Sequence, residues 1–383
     1  MTPTLRRAAL FVKRLVGGLA RPMKHPQGSS GLTVTPYRGY GSRREAFLTG
    51  RVFRQVPLGR GVPGRGFLRD LLDVARRIAR RGVAEAGVEI RLGDNHVAVT
   101  TDPDGYFEAR LPLASSLPRD RVWHLAELWV TAAEEGPVRA SVEVFIPASE
   151  PDLLVISDID DTVMFTGVAD RLRMLYRLFL ERPDQRMAFP GVAALYQALH
   201  RGADDQGERP ILYVSRGPWL IYEMLETFFQ LNRIPVGPIL FLREWGVSLR
   251  HPWPRRAEEH KEQLIGRMLA TFEGVPCLLI GDSGQHDPEV YTRIVQAHPG
   301  RVQAIYIRRV ENREDRQRAI QALRDQLRHT RCDLVLAADS VLIAEHAQAS
   351  GFISDYGLEA VRREAATAAE DNGPEEAGPG DVA

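Results

Sequence analysis

The sequence is poor in cysteine and lysine, and it has no hydrophobic run of membrane-spanning length. Two cysteines, Cys277 and Cys332, in 383 residues exclude a disulfide framework and fit a reducing compartment. Both lie in apolar runs and read as buried thiols. Lysine occurs only at Lys13, Lys24 and Lys261, so the one lysine in the body of an arginine-dominated chain stands out. No apolar stretch approaches the ~20 residues a helix needs to cross a bilayer. Formal net charge is zero, which argues against a protein that coats a polyanion, and no nucleic-acid partner is expected.

Acidic residues are absent from positions 1–44. There Leu5, Ala8, Ala9, Val12, Leu15, Val16 and Leu19 recur at helical spacing, opposite Arg7, Arg14 and Arg21. Such a basic amphipathic helix over residues 5–21 has three readings: contact with an anionic membrane surface, packing on its own protein, or an organellar transit peptide. The expected location is cytoplasmic, with peripheral membrane contact under the first reading.

The length suggests two domains plus tails. Residues 1–30 form the basic segment and a linker. Residues 31–150 read as a β-sandwich, because short strands over 47–53, 87–92, 96–101, 106–111, 123–131 and 138–146 are bounded by turn residues. One helix, Phe67 to Arg81, interrupts them. From 151 to 352 apolar strands and amphipathic helices alternate, the pattern of a parallel α/β sheet covered on both faces. Its strands fall at 153–156, 211–214, 239–242, 277–280 and 302–307. Residues 353–383 are expected to form an acidic disordered tail. Ligands in such sheets gather at the carboxyl ends of the strands, so the residues after each run are the site candidates.

The first of these runs ends in Ser157-Asp158-Ile159-Asp160-Asp161-Thr162. A carboxylate at a strand tip can attack phosphorus and form an aspartyl phosphate, splitting hydrolysis into two easier steps. Asp160, two residues on, can protonate the leaving oxygen and later deprotonate water. The second run ends in Ser215-Arg216-Gly217, where a hydroxyl, backbone N–H groups and a helix start suit phosphoryl oxygens. Lys261 opens a helix before the fourth run. After that run come Asp282 and Asp287, oxygen donors of the type Mg²⁺ prefers. Asp287-Pro288 is equally a good helix start, with the aspartate as cap.

This D-x-D-x-T arrangement resembles that of the haloacid dehalogenase superfamily. The stretches 155–167, 213–219, 239–243, Lys261, 280–291 and 304–309 resemble one branch of it, the actin-patch-associated phosphatidate phosphatases and their bacterial homologues. The resemblance implies a haloacid dehalogenase-like Rossmannoid sheet behind a β-sandwich. It implies Mg²⁺-dependent hydrolysis of phosphatidate to diacylglycerol, with Asp158, Asp160 and Lys261 catalytic. It places Thr162, Ser215, Arg216 and Gly217 on the substrate, and Asp158, Asp160, Asp282 and Asp287 on the metal. Residues 243–256, with Trp245, Trp253 and several arginines, and residues 171–180 have compositions suited to a membrane boundary or to ordinary packing. A soluble phosphatase for a sugar, nucleotide or phosphoprotein, with the β-sandwich as binding module, is the alternative.

Overall fold

The computed structural model describes residues 31–54, 81–132, 135–159, 162, 189–216, 222–241, 257–310 and 313–371. The basic segment at 5–21, the helix over 67–81 apart from its last residue, the stretches 171–180 and 243–256, and the end of the tail lie outside the described residues.

The first unit contains β1 (Leu32–Gly41), β2 (Glu45–Arg54), β3 (Arg81–Gly82), β4 (Gly87–Leu92), β5 (Asn95–Thr100), β6 (Tyr106–Pro112), β7 (Trp123–Ala132) and β8 (Glu135–Phe145). Burial alternates along β4, β6 and β7, as a half-buried strand requires. The inward residues, among them Val88, Ile90, Phe107, Leu111, Leu128 and Val144, form one core. At the turn before β6, Asp102 accepts from the N–H groups of Asp104 (3.0 Å) and Tyr106 (2.8 Å). Gly105 holds φ 81° there, and a Cβ would strike the Val52 carbonyl.

The expected sandwich of two sheets is instead one hydrogen-bonded sheet, ordered β3-β2-β1-β8-β7-β4-β5, with β6 on β2. Strand β1, absent from the strands expected of the sequence, is the cause. It pairs antiparallel with β2 and, at Gly39 and Tyr40, parallel with β8. That bridge joins the two halves, and β5 comes to lie near β6, so the sheet curls around its single core like a barrel.

The second unit is a parallel sheet of β9 (Leu154–Asp158), β10 (Ile211–Ser215), β11 (Ile239–Phe241), β12 (Cys277–Asp282), β13 (Val302–Arg308) and β14 (Asp333–Ala337), ordered β11-β10-β9-β12-β13-β14. Its helices are α1 (Val192–Arg201), α2 (Tyr222–Leu231), α3 (Ala257–Thr271), α4 (Asp287–Ala297), α5 (Glu314–Gln326), α6 (Ser340–Ala349) and α7 (Asp355–Asp371). Val155, Tyr213, Leu278 and Tyr306 pack beneath α1, α2, α6 and α7. Their alternates Ile156, Val214, Leu279 and Ile305 pack beneath α3, α4 and α5. Both faces are thus covered, which is why the strands read as unbroken apolar runs. Cys277 and Cys332 are buried free thiols, and burial pushes both up to about 12.

Residues 353–371 differ from the expected tail. Within them α7 buries Val361 against α1 and α6. Its Glu364 carboxylate accepts from the backbone N–H groups of Ala193 (3.3 Å) and Ala194 (3.1 Å). Helix α1 has Gly191 as its N-cap, without a side-chain cap of its own, so Glu364 caps it from another helix. Composition suggested disorder; the apolar spacing within the acidic stretch decides otherwise.

The two units share side chains. Tyr37 belongs to one core of the parallel sheet and Tyr40 to the other. Arg38 donates from its backbone to the Tyr222 hydroxyl at 3.0 Å and from its guanidinium to Glu226 at 2.5 Å and Glu143 at 2.8 Å.

Candidate active site

The chain runs outward from β9 through β10 to β11, then returns to the other side of β9 at β12. The order therefore reverses between β9 and β12, and a crevice opens beyond their carboxyl ends. Asp158 ends β9 and Asp282 ends β12. Val214 is the lateral partner of Asp158, which sets Ser215 one step beyond on the adjoining strand. Lys261 enters from α3 and Asp287 from the first residue of α4.

These groups meet. The Lys261 ammonium donates to Asp158 Oδ1 at 2.7 Å and to Asp287 Oδ1 at 2.5 Å. Asp287 Oδ2 accepts from the Asp282 N–H at 3.3 Å. Helix α4 has His286 as its N-cap, so Asp287 spends its carboxylate on lysine and strand rather than on capping. Gly281 allows that approach, because a Cβ there would collide with the Asp287 carboxylate. One oxygen from each of Asp158, Asp282 and Asp287 lies within 4.8 Å of the others.

All four side chains are at most 1% exposed. Burial alone pulls the Lys261 ammonium down, but Asp158 and then Asp287 outweigh it, and its pKa rises. Arg216 opposes them by its like charge. Three carboxylates against one ammonium leave an excess of negative charge in a site shielded from water, an arrangement that a divalent cation can neutralise. Three hard oxygen donors on one crevice suit Mg²⁺, which keeps several waters and needs few protein ligands.

Residues 153–309 match the family described as phosphatidate phosphatase APP1, catalytic domain. The stretch holds Asp158, Lys261, Asp282 and Asp287, whereas β1 to β8 lie outside it. Over 158 residues the chain is 34% identical to phosphatidate phosphatase APP1 of Saccharomyces cerevisiae, covering 41% of this chain and 26% of that protein. Over 213 residues it is 23% identical to an uncharacterised protein of Schizosaccharomyces pombe, covering 55% of this chain and 34% of that one. The chain thus spans a quarter to a third of the length of these curated relatives. A carbohydrate acetylesterase structure from Xanthomonas citri aligns over 86% of this chain and 72% of its own at 12% identity with a TM-score of 0.27, a level that assigns no fold.

Of the residues singled out in the sequence, the structure brings together Asp158, Lys261, Asp282 and Asp287. Ser215 and Thr162 are buried at the carboxyl edge of the same sheet, and Arg216 acts electrostatically on Lys261. Asp160 and Gly217 lie outside the described residues. His286 is largely exposed, 3.5 Å from Glu258.

Other residues hold the site and were not picked out from the sequence. Ser157 Oγ donates to the Asp158 carbonyl at 2.7 Å and hydrogen-bonds the Tyr196 hydroxyl. Tyr291 donates to the Ile280 carbonyl at 3.0 Å, and its ring lies 5.5 Å from the Lys261 ammonium. Arg316 grips the loop between the two later aspartates, donating to the carbonyls of Ser283 (2.7 Å) and Gln285 (2.5 Å) and to the Glu289 carboxylate. Burial raises Glu289, but Arg316 outweighs it and keeps that carboxyl below the usual range. Arg308 bonds the Thr162 carbonyl at 3.1 Å. It directly follows the apolar run 302–307, so the strand-end rule points to it. The reach of Arg316 from a separate helix has no signature in sequence.

Proposed function

We propose that this chain is a Mg²⁺-dependent phosphomonoester hydrolase of haloacid dehalogenase type that removes phosphate from phosphatidate to give diacylglycerol. The observation that carries the reading is the buried set of Asp158, Lys261, Asp282 and Asp287 at the crevice between β9 and β12, inside the stretch that matches a phosphatidate phosphatase catalytic domain.

In this mechanism a carboxylate oxygen of Asp158 forms a bond to phosphorus as the ester P–O bond breaks, its electron pair leaving with the alcohol oxygen. Asp160 gives that oxygen a proton. Water then attacks the aspartyl phosphate and yields its proton to the Asp160 carboxylate. The bond between phosphorus and Asp158 breaks, releasing phosphate and restoring both acids. Lys261 holds Asp158 and balances part of its charge. Asp158, Asp282 and Asp287 would hold Mg²⁺ together with the Asp160 carbonyl, and the bound ion supplies charge neutralisation at the phosphoryl oxygens. The Ser215 hydroxyl receives a phosphoryl oxygen.

The test compares phosphate release from phosphatidate in mixed micelles with release from soluble sugar and nucleotide monoesters, each with and without Mg²⁺. Mg²⁺-dependent release favouring phosphatidate is expected. Preference for the soluble esters by orders of magnitude overturns the lipid assignment, and no release from any ester overturns the hydrolase.

A further inference from the structure

Arg308 is a buried cation with no ion-pair partner among the described residues, although the charge of Asp339, next to Ser340, acts on it from beyond ion-pair distance. It is 4% exposed and ends β13, where it is the lateral partner of Asp282 on β12. With strands roughly 4.8 Å apart, its backbone stands two strands from β9. The side chain crosses that gap: Nε donates to the Thr162 carbonyl at 3.1 Å, beyond the end of β9. One terminal nitrogen donates to Ser340 Oγ at 2.8 Å, and the guanidinium carbon lies 4.2 Å from the Phe189 ring centroid. Every one of these partners is neutral. Among the described residues no carboxylate lies within ion-pair reach of Arg308, whereas Lys261 has two. Burial pulls the guanidinium down to about 10, which still leaves it charged at neutral pH.

A buried charge whose hydrogen bonds all go to neutral groups is costly, and Asp339 offsets that cost only from a distance, too little to cancel the effect of burial. An unsatisfied group adjoins it. The Thr162 side chain is 1% exposed, and its hydroxyl has no hydrogen-bond partner among the described residues. Arg308 also stands on the same side of β13 as Ala304 and Tyr306, in the core beneath α1 and α6, while Lys261 comes from α3 on the opposite face. The two cations therefore approach the aspartate edge from opposite sides of the sheet. A phosphoryl group, itself an anion, must enter beside three carboxylates, and fixed positive charge on the second face offsets that repulsion.

We propose that Arg308 supplies fixed positive charge to an anion subsite beside the aspartate cluster, taking an oxygen of the substrate's phosphoryl group next to the hydroxyl of Thr162, which the family resemblance already places on the substrate. The inference rests on the hydrolase reading and extends it to a residue outside the D-x-D-x-T motif.

Inorganic phosphate, titrated into the full chain with Mg²⁺ by calorimetry, tests it alongside turnover of a soluble monoester. R308M should weaken phosphate by about tenfold or more, the scale of a lost charged hydrogen bond, and raise KM more than it lowers kcat. R308K should retain more affinity than R308M, and T162V should lose about threefold, the scale of a neutral hydrogen bond. Wild-type phosphate affinity in an R308M protein that melts like the wild type overturns the subsite. Should R308M fail to fold, unchanged affinity in both R308K and T162V overturns it equally. A wild-type chain that hydrolyses no monoester but whose phosphate affinity falls in R308M keeps the subsite and loses the hydrolase reading. One that neither binds phosphate nor turns over ester loses both.

Discussion

The two sheets of this protein treat buried polarity in opposite ways. In the curled sheet the buried polar side chains that are hydrogen-bonded include two that serve the chain's own turns. Asn95 donates to the carbonyls of Leu92 (3.2 Å) and Ser115 (3.0 Å), and Thr101 accepts from the Ala86 N–H (2.9 Å). Among the described residues of that unit no aspartate, glutamate, lysine or arginine is buried, and its one buried histidine, His124, has its pKa lowered by burial and by Arg121. The parallel sheet instead buries Asp158, Lys261, Asp282, Asp287 and Arg308 along one edge. Buried ions are costly and replaceable by apolar packing where only stability matters, so their concentration at a crevice marks where chemistry is carried. Arg209, at the other end of the strands, is the instructive exception: it pairs with Asp152 and donates to the Phe352 carbonyl, fastening chain segments together.

The sharpest way to break the contrast is at its centre. Asp158→Asn should lower turnover by about 10⁴-fold or more, because the proposed mechanism uses Asp158 as its nucleophile. Its thermal midpoint without added divalent ion should hold or rise, since one buried negative charge has been removed; a large fall would make Asp158 structural. Lys261→Met takes the opposite charge from the same cluster and should cost about 3–5 kcal/mol in urea denaturation, leaving buried carboxylates uncompensated. A loss below about 1 kcal/mol would mean that the acids do not depend on it.

Arg38 tests the seam between the two sheets. Arg38→Ala should cost about 1–2 kcal/mol, because it removes partly buried charged hydrogen bonds to Glu226 and Glu143, while kcat stays within a few-fold. A tenfold fall in kcat at unchanged stability would show that the curled sheet positions the catalytic edge through α2. The smallest effect is expected at Asp152. Hydrogen bonding to Arg209 holds its carboxyl below the ordinary value of 3.8. Its contribution is therefore complete above that value and is lost as pH falls through the lower folded value. Asp152→Asn should cost under about 1 kcal/mol near neutrality, given its exposure, and the difference from wild type should vanish in strong acid.

Much of the parallel unit was legible because its signals are local. An apolar run followed by acids reveals a strand and its carboxyl end, and the positions of Asp158, Asp282 and Asp287 followed from that rule; Lys261 stood out as the one lysine in the body of the chain, at the start of the helix before the fourth run. Strand β14 and helices α6 and α7 were not foreseen: Asp333–Ala337 is too short to separate from its surroundings, and the acidic composition around Glu364 outweighed the spacing that seats α7 on α1. Six strands of the curled sheet were legible, but β1 and β3 were not, and its closure depends on β1 touching β2 on one side and β8 on the other, across about a hundred residues of chain.

By itself the sequence determined which acids and which lysine are the candidates for the chemistry and where most strands of the parallel sheet lie, since periodicity and strand-end position are properties of neighbours in the chain. Tertiary structure alone decided that Lys261 spans Asp158 and Asp287, that Asp287 faces the cluster instead of capping α4, and that Arg308 has no ion-pair partner among the described residues. Those outcomes depend on which charges share a small volume away from water, where each group's energy is set by its partners in space and not by its place in the chain.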